Sequence, residues 1–156
     1  MIKFIAAIDD RQGLADDNGI PWHIPTDLQY FRDHTVHNVI MMGYNTYLEF
    51  TKPLSSRRNL VATTKDEVLK PGFERVAEAH DFLSHYRGDI WVIGGAGLFA
   101  ATLDLADELY LTELEGDFNC TKFFPAYDAD FVLTKKGVPI HENGVTFRFN
   151  VYSRKT

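Results

Sequence analysis

Asp27 is the side chain whose type and position are most typical of a reactive group. It lies in a segment that predicts an amphipathic helix, where Ile24, Leu28 and Phe31 are its neighbours on the apolar face. A carboxylate on such a face needs hydrogen-bond donors or a shifted pKa, because an unpartnered charge is costly to bury. That is the usual condition of an acid that binds a ligand or takes part in catalysis.

The same segment also allows a purely structural interpretation of Asp27. Thr26 and Gln29 match a capping box, which would place Asp27 in the first turn of the helix. A negative charge in that turn is stabilised by the helix dipole whatever its function. The segment alone therefore leaves both interpretations open.

Two glycine-containing junctions between a strand and a helix could bind phosphate groups. In the run 94–97, Gly-Gly-Ala-Gly, the backbone can approach a ligand, and the free N–H groups of the new helix attract an anion. Gly43 lies at a second such junction, where Asn45 or Thr46 is expected to cap the helix. A tight turn is the alternative for 94–97, which matches neither a Rossmann fingerprint nor a P-loop. Two junctions suit a dinucleotide better than a mononucleotide.

Basic and hydroxyl side chains provide two further candidate anion sites. The run 63–65, Thr-Thr-Lys, follows a predicted strand and could hold another phosphate. Lys52, Arg57 and Arg58 form a cationic cluster on a chain whose net charge is −6. A solvated loop is the alternative interpretation of this cluster, since basic residues lie mostly on the surface.

Other conspicuous residues favour structural interpretations. His34 and His37 lack a further metal ligand at familiar spacing, so no metal site is expected and both are interpreted as solvated. The acidic pairs 9–10 and 16–17 lack the calcium-loop pattern and are interpreted as parts of a flexible loop. Trp22 could close over a site, although the sequence alone favours a buried core position for its ring.

The composition is typical of one globular domain spanning residues 1–156. The chain is 45% hydrophobic and 24% charged, and Cys120 is its only cysteine, so no internal disulfide can form. The N-terminus reaches two aspartates before a signal-peptide core could form, which favours a cytoplasmic location. The negative charge and the lack of long apolar runs argue against nucleic-acid and membrane partners and favour a small-molecule partner.

Strand and helix patterns alternate along most of the chain, which predicts an α/β fold. Strands are predicted over 4–8, 39–42, 60–64, 91–93 and 109–112, and helices over 26–35, 45–50, 79–86 and 98–105. Two strand-like segments follow, 131–135 and 146–153, and are expected to add antiparallel strands at one edge. We therefore expect a twisted, mostly parallel central sheet of about eight strands with an antiparallel C-terminal edge and about four flanking helices.

In their order and spacing, these motifs resemble the dihydrofolate reductase family. The matching segments are 5–7, 18–22, 25–31, 42–46, 53–54, 57–59, 93–97, 109–112 and 124–125. The resemblance implies a monomeric enzyme that reduces 7,8-dihydrofolate to 5,6,7,8-tetrahydrofolate by hydride transfer from NADPH. It further implies a place in one-carbon metabolism and thymidylate synthesis, and a target for antifolates.

The resemblance also implies roles for individual residues. Asp27 and Thr112 would fix the pterin, a water entering near Ile20 and Trp22 would protonate N5, and Arg57 would bind the glutamate carboxylate. The implied substrate-binding residues are Ile5, Ala6, Asp27, Leu28, Phe31, Arg32, Phe50, Lys52, Leu54, Arg57, Ile93 and Thr112. The implied cofactor-binding residues are Ala7, Leu14, Asn18, Gly43, Tyr44, Asn45, Thr46, Thr63, Thr64, Lys65, Ile93, Gly94, Gly95, Ala96, Gly97, Leu98 and Phe99. A cis peptide bond between Gly94 and Gly95, a loop over 9–21 that closes on the nicotinamide, and no metal are also implied.

The chain departs from the family pattern at four positions. Tyr44 stands where many relatives have an arginine for the cofactor phosphates, so NADH is not excluded as a cofactor. Ala15, Ile20 and Thr121 replace common residues of the mobile loop and of the segment that ties it down. These three replacements predict altered loop closure and cofactor release.

Two alternative functions remain compatible with the sequence. The first is a binding module that senses a pterin or dinucleotide without turnover. The second is a related NADPH-dependent pterin or pyrimidine reductase, such as those of riboflavin synthesis. Arg57 discriminates against the second, because a substrate without a glutamate tail gives the guanidinium no partner.

Overall fold

The computed structural model describes residues 1–156 as a mixed α/β fold. Its strands are β1 (Ile2–Ile8), β2 (Gly13–Ala15), β3 (Val39–Gly43), β4 (Arg58–Ala62), β5 (Phe73–Val76), β6 (Ile90–Gly94), β7 (Glu108–Leu114), β8 (Lys122–Phe123), β9 (Phe131–Lys135), β10 (Ile140–Glu142) and β11 (Val145–Arg154). Its helices are α1 (Pro25–Thr35), α2 (Tyr44–Leu48), α3 (Ala79–Ser84) and α4 (Ala96–Thr102), and a 3₁₀ turn over Leu103–Leu105 follows α4.

The main sheet has nine strands, of which eight follow the order β10-β11-β7-β1-β6-β3-β4-β5. The strands from β7 to β5 are parallel, whereas β11 runs antiparallel to β7 and to β10. A further strand, β9, pairs with the last residues of β11. The predicted mixed sheet with an antiparallel C-terminal edge is confirmed. In such a sheet, the carboxyl ends of the parallel strands form the edge at which ligands bind.

The core lies on both faces of this sheet. The largest cluster packs Phe4, Val92 and Leu109 against Leu98 and Phe99 of α4. A second cluster on the opposite face surrounds Ile5, Met42 and Trp91 and is covered by residues of α1 and α2. None of the helices has the length and apolar character needed to cross a membrane.

The predicted helix caps are wrong. The N-cap of α1 is Ile24, and the Thr26 backbone N–H and hydroxyl both donate to the Glu142 carboxylate, at 2.9 and 2.6 Å. The N-cap of α2 is Gly43, so Asn45 and Thr46 lie inside the helix. The Thr26 hydroxyl bonds Glu142 instead of capping a backbone N–H of α1, because the carboxylate forms a stronger, charge-assisted hydrogen bond.

Two polar residues predicted to be solvated are instead held in place. His34 is half-buried among the rings of Tyr30, Trp91 and Tyr110, and its Nδ1 bonds the Tyr30 carbonyl oxygen at 2.8 Å. Asp9 is only 4% exposed. Neither residue belongs to a flexible, water-facing segment, because each has partners contributed by distant parts of the chain.

Candidate active site

The first element of the site is a hydrogen bond between a helix and the central sheet. The Thr112 hydroxyl donates to Asp27 Oδ1 at 2.7 Å and joins β7 to the first turn of α1. Thr112 is 1% exposed and lies beside Ala7 of β1 in the parallel register. Burial raises the pKa of the Asp27 carboxyl above its ordinary value, and the bond from Thr112 offsets part of that rise. Asp27 is thus a desolvated acid with one fixed partner, which is the property that its place in the sequence predicted.

Apolar side chains gather on the face of the sheet that is covered by α1, the helix that carries Asp27. One cluster brings together five of the residues predicted to bind substrate, namely Ile5, Phe31, Phe50, Leu54 and Ile93. Leu28 is 57% exposed and lies on the open side of α1. Ala6 and Ala7 are half-buried and pack against the neighbouring clusters. A flat ring with one polar edge would find apolar contacts here and a carboxylate at its end.

Arg57 provides a fixed cation at the rim of this cleft. Its Nη1 donates to the Thr35 hydroxyl at 3.1 Å and its Nε to the Ser55 carbonyl at 2.9 Å. The guanidinium carbon lies 6.0 Å from the centre of the Phe31 ring. No carboxylate of the protein forms an ion pair with Arg57, whereas Arg58 pairs with Glu74 at 2.8 Å. The Arg57 guanidinium is therefore positioned and left with donors for an external carboxylate.

Burial lowers the pKa of Arg57, and the positive charge of Arg32 lowers it further. An arginine nevertheless stays charged at all physiological pH values. Arg32 is exposed at the same rim, and the predicted neighbour Lys52 is exposed on the surface. Two like charges without an acidic partner favour the binding of an anion at this point.

The two glycine junctions lie side by side at the same edge of the sheet. Met42 at the end of β3 is in register with Gly94 at the end of β6. The peptide bond between Gly94 and Gly95 is cis, which confirms that expectation. Neither α2 nor α4 has a side-chain cap, so the N–H groups of both first turns have no side-chain acceptor. Two adjacent, uncapped helix starts can bind two phosphate groups.

The glycines leave the backbone of these junctions without side-chain cover. A Cβ at Gly43 would stand 3.7 Å from the Gly94 oxygen, and one at Gly95 would stand 3.4 Å from the Thr46 hydroxyl. Nothing lies within 4 Å of a Cβ at Gly97, which is exposed in the first turn of α4. Because no side chain covers this turn, its backbone is open to a ligand, and the donor set fits the pyrophosphate of a dinucleotide.

Further cofactor candidates surround α2 and the end of β4. The Lys65 ammonium lies 5.0 Å from the centre of the Tyr44 ring. Contact with the Glu67 side chain raises the pKa of the Tyr44 phenol. Thr63 is buried, and its hydroxyl accepts the Lys65 backbone N–H at 3.1 Å, while Thr64 is exposed. Lys65 is consequently the cation that can take the place of the arginine absent at position 44.

Some predicted contacts can involve only the backbone. Leu98 and Phe99 are buried in the core, and the Phe99 ring lies 5.1 Å from that of Phe4. The Phe99 N–H donates to the Gly95 carbonyl at 3.0 Å, so the N–H groups of Ala96 and Leu98 are what the start of α4 offers to a ligand. The side chains of Leu98 and Phe99 therefore fix the first turn of α4 by packing in the core.

The loop between β1 and α1 carries four of the predicted residues. Leu14 packs against the main core, and Asn18 lies in a turn closed by two hydrogen bonds between Asp16 and Gly19. Ile20 is 65% exposed. Trp22 is half-buried, with its ring 5.2 Å from the Phe118 ring in an edge-to-face arrangement. The loop therefore has an ordered base and an exposed tip.

Three residues that support the site were not predicted from the sequence. Thr35 lies under Arg57 and also donates to the Phe31 carbonyl at 2.8 Å. Glu67 contacts Tyr44, and Asp9 holds the base of the loop. Only Thr35 had a visible signal, because it lies one helical turn after Phe31 on the same face.

The fold and the site together define an α/β protein with a dinucleotide-binding edge and an adjacent cleft that ends in a desolvated acid. The family model for dihydrofolate reductase matches residues 1–154. The chain belongs to the dihydrofolate reductase family.

Individual relatives agree with this family membership. The chain is 33% identical over 160 residues to the dihydrofolate reductase of Bacillus subtilis (strain 168), covering 99% of this chain and 95% of that protein. It is 30% identical over 126 residues to the dihydrofolate reductase of Staphylococcus aureus (strain Mu50 / ATCC 700699), covering 81% of this chain and 79% of the relative. A solved structure of the Enterococcus faecalis dihydrofolate reductase, complexed with NADP(H) and RAB-propyl, superposes with a TM-score of 0.90. It shares 25% identity and covers 100% of this chain and 97% of the other.

The raised pKa of Asp27 predicts a stability change in the Asp27→Asn variant. Because the folded state holds the proton more tightly than the unfolded chain, wild-type stability falls as the pH rises from the ordinary aspartate value through the raised one. Asparagine keeps an acceptor for Thr112 and cannot ionise, so the variant does not lose this stability. In urea denaturation at several pH values, the free energy of unfolding of the variant relative to wild type should increase with pH. A relative stability that decreases with pH would contradict the burial of a destabilised charge at position 27.

Proposed function

We propose that residues 1–156 form a single, monomeric domain that reduces 7,8-dihydrofolate to 5,6,7,8-tetrahydrofolate with NADPH in the cytoplasm. The observation that carries the proposal is the desolvated Asp27 carboxylate, fixed by Thr112 at the end of an apolar cleft in a chain of the dihydrofolate reductase family. Such an enzyme supplies tetrahydrofolate for one-carbon metabolism and thymidylate synthesis and is a target for antifolates. The single buried cysteine, without a disulfide partner, is consistent with a cytoplasmic location.

The substrate is bound at its two ends. Asp27 accepts hydrogen bonds from the 2-amino group and the N3 side of the pterin, and Thr112 holds the carboxylate in the required orientation. Phe31 and the residues that share its cluster contact the ring and the benzoyl group. Arg57, held by Thr35, binds the glutamate carboxylate. A fixed acid and a fixed cation thus select a substrate that carries hydrogen-bond donors at one end and a carboxylate at the other.

NADPH, when bound, would supply the hydride that reduces C6 of the pterin. The open first turns of α2 and α4 bind the phosphates, and Lys65 adds a positive charge beside Tyr44. Ala7 and Ile93 lie near the carboxyl ends of β1 and β6, where the nicotinamide must contact the pterin. The protein contributes to this step mainly by holding the two rings in contact.

N5 of the pterin gains its proton from a water molecule that enters beside Ile20 and Trp22. Asp27 assists as the desolvated carboxylate that fixes the pterin and helps this water deliver its proton. Closure of the loop over 9–21 excludes other water from the nicotinamide.

A binding module without turnover is the alternative in another functional class. It would bind the same ligands, but the presence together of Asp27, Trp22 and Thr112, the residues that the proposed reaction uses, argues against it. A reductase of riboflavin synthesis would leave Arg57 without a partner, although Thr35 and Ser55 hold it in place.

Replacing the acid should remove turnover without removing the fold. Asp27→Asn keeps the size of the side chain and the bond to Thr112, and it should slow turnover by roughly 100-fold or more at neutral pH. The loss of NADPH absorbance on mixing with 7,8-dihydrofolate measures the rate. Asp33→Asn, at an exposed carboxylate of the same helix, is the matched control and should leave the rate near that of wild type. Equal rates for Asp27→Asn and wild type would exclude the proposed role, and no turnover by wild type would exclude the proposed function.

We expect that replacing Arg57 selectively weakens the binding of the glutamate tail. Arg57→Gln should raise KM for dihydrofolate by about 10- to 100-fold, since it removes a charge-assisted, bidentate contact. Steady-state kinetics with a dihydropterin that lacks the glutamate should show little change. Arg58→Gln tests for a general charge effect, because Arg58 pairs with Glu74 outside the cleft. A KM that rises equally for both substrates would show that Arg57 is needed only for the shape of the cleft.

Because the Lys65 ammonium lies beside the Tyr44 ring, we expect Lys65 to support a preference for NADPH over NADH. Lys65→Gln should raise KM for NADPH by about fivefold, with the difference shrinking as salt screens the exposed charge, and should change KM for NADH little. Parallel measurements with both cofactors test this, and Lys136→Gln, at an exposed lysine distant in sequence, serves as the control. An equal change for NADPH and NADH would refute a role of Lys65 in cofactor selection.

A further inference from the structure

Asp9 is a buried carboxylate that lies outside the cleft and joins two separate segments. Its side chain is only 4% exposed. Oδ1 accepts the backbone N–H groups of Arg11 and Gly13, at 2.9 and 2.8 Å. Oδ2 accepts the backbone N–H of Phe118 at 3.0 Å. One oxygen therefore binds the start of the loop over 9–21, and the other binds the segment that follows β7.

The two segments are also in direct contact around this carboxylate. A Cβ at Gly13 would stand 2.5 Å from the Cys120 Cβ and 2.8 Å from Asp9 Oδ1, so only glycine fits between them. The Thr121 backbone N–H donates to the Ala15 carbonyl at 2.9 Å, next to the pairing of β2 with β8. The Thr121 side chain forms no hydrogen bond. Asp9 is thus the only buried carboxylate that holds the loop to its neighbour.

Phe118 connects this junction to the candidate active site. Its backbone N–H is bound by Asp9, and its ring packs edge-to-face against the Trp22 ring with an angle of 72° between the ring planes. Asp9 consequently fixes the residue against which Trp22 rests, as well as the first residues of the loop that leads to Trp22. Asp9 is therefore connected to Trp22 in two ways, through Phe118 and through the loop itself.

We infer that Asp9 is a positioning residue of the reaction, because its carboxylate holds the 9–13 turn and Phe118 together and so orients Trp22 and the loop over the nicotinamide. The inference rests on the proposed function of Trp22 and the loop. Asp9 would thus anchor the loop over 9–21 to the segment that follows β7, which the side chain at position 121 does not do in this protein.

The charge on Asp9 persists at physiological pH. Burial raises the pKa of the carboxyl, but the N–H donors of Phe118, Gly13 and Arg11, with a contribution from the Cys120 thiol, hold it below its ordinary value overall. The full set of hydrogen bonds is thus present at neutral pH and is lost only when the pH falls through this lowered value. The same surroundings raise the pKa of the Cys120 thiol to about 11, chiefly through burial, so the thiol stays protonated beside the carboxylate.

The test replaces the carboxylate with its uncharged isostere. In Asp9→Asn one acceptor becomes an NH₂ group, which leaves a backbone N–H of Phe118 or of the turn without a partner. Single-turnover measurements should show hydride transfer slowed by about tenfold and faster release of NADPH. KM for dihydrofolate should stay close to the wild-type value, because neither Asp27 nor Arg57 contacts this junction. Asp17→Asn, an exposed loop position with the same charge change and no side-chain bond, should match wild type.

A second readout follows Trp22 directly and needs no turnover. Trp91 is 3% exposed, so quenching of tryptophan fluorescence by acrylamide reports mainly on half-buried Trp22. Asp9→Asn should increase this quenching. Phe118→Leu, which removes the ring contact and keeps the bond to Asp9, should do the same. In the double variant the two effects on hydride transfer should be less than additive, because both act through Phe118.

The outcomes separate this inference from the proposed function. Wild-type rates and quenching in Asp9→Asn, with only a lower urea midpoint, would show a role in stability alone and overturn the inference. Fully additive effects of the two substitutions would overturn the route through Phe118. If wild type shows no turnover, the proposed function fails, while an increase of quenching in Asp9→Asn still establishes that Asp9 positions Trp22.

Discussion

The hydrogen bond between Thr112 and Asp27 is the constraint on which the geometry of the site depends. It links β7, in the middle of the sheet, to the first turn of α1, which is the longest helix. The two residues are 85 positions apart in the chain. The bond sets the orientation of a carboxylate that burial would otherwise leave destabilised. Because β7 is hydrogen-bonded to β1 on one side and to β11 on the other, the acid is fixed to a strand that is paired along both edges.

The parallel arrangement of the central strands explains why the remaining site residues lie near this acid. The carboxyl ends of β1, β3, β6 and β7 meet at one edge, so Ala7, Gly43, Gly94 and Thr112 are neighbours despite their distance in sequence. Two helices begin at this edge without side-chain caps. An anion-binding region and an apolar cleft with a desolvated acid therefore share a boundary, which is where a hydride must cross between cofactor and substrate.

Much of the fold could be predicted from the sequence, because the central strands and the longest helix have strong apolar patterns. The strand β9 was predicted with its observed ends, and α1 differed by one residue. The short strands β2, β5, β8 and β10 were missed. In β5 only Phe73 and Val76 are buried, and β2 and β8 gain their hydrogen bonds only from each other. Such elements are defined by pairing between distant segments and have little local signal.

The same distinction applies to the site. Asp27, the two glycine junctions and Arg57 could be found because residue type and local spacing limit what they do. The bond from Thr26 to Glu142 and the support of Arg57 by Thr35 depend on contacts 116 and 22 positions apart. Asp9 was interpreted as part of a flexible acidic loop, because nothing near it in sequence shows that Phe118 and Cys120 enclose it.

Titration of the Asp27 carboxyl carbon by NMR tests the central claim most directly. A resonance assigned by comparison with Asp27→Asn should titrate above the ordinary aspartate pKa of about 3.9, and dihydrofolate should shift it by donating hydrogen bonds to the carboxylate. A resonance that titrates at or below that value, or that does not respond to dihydrofolate, would show that Asp27 is a solvated first-turn acid and would contradict the account.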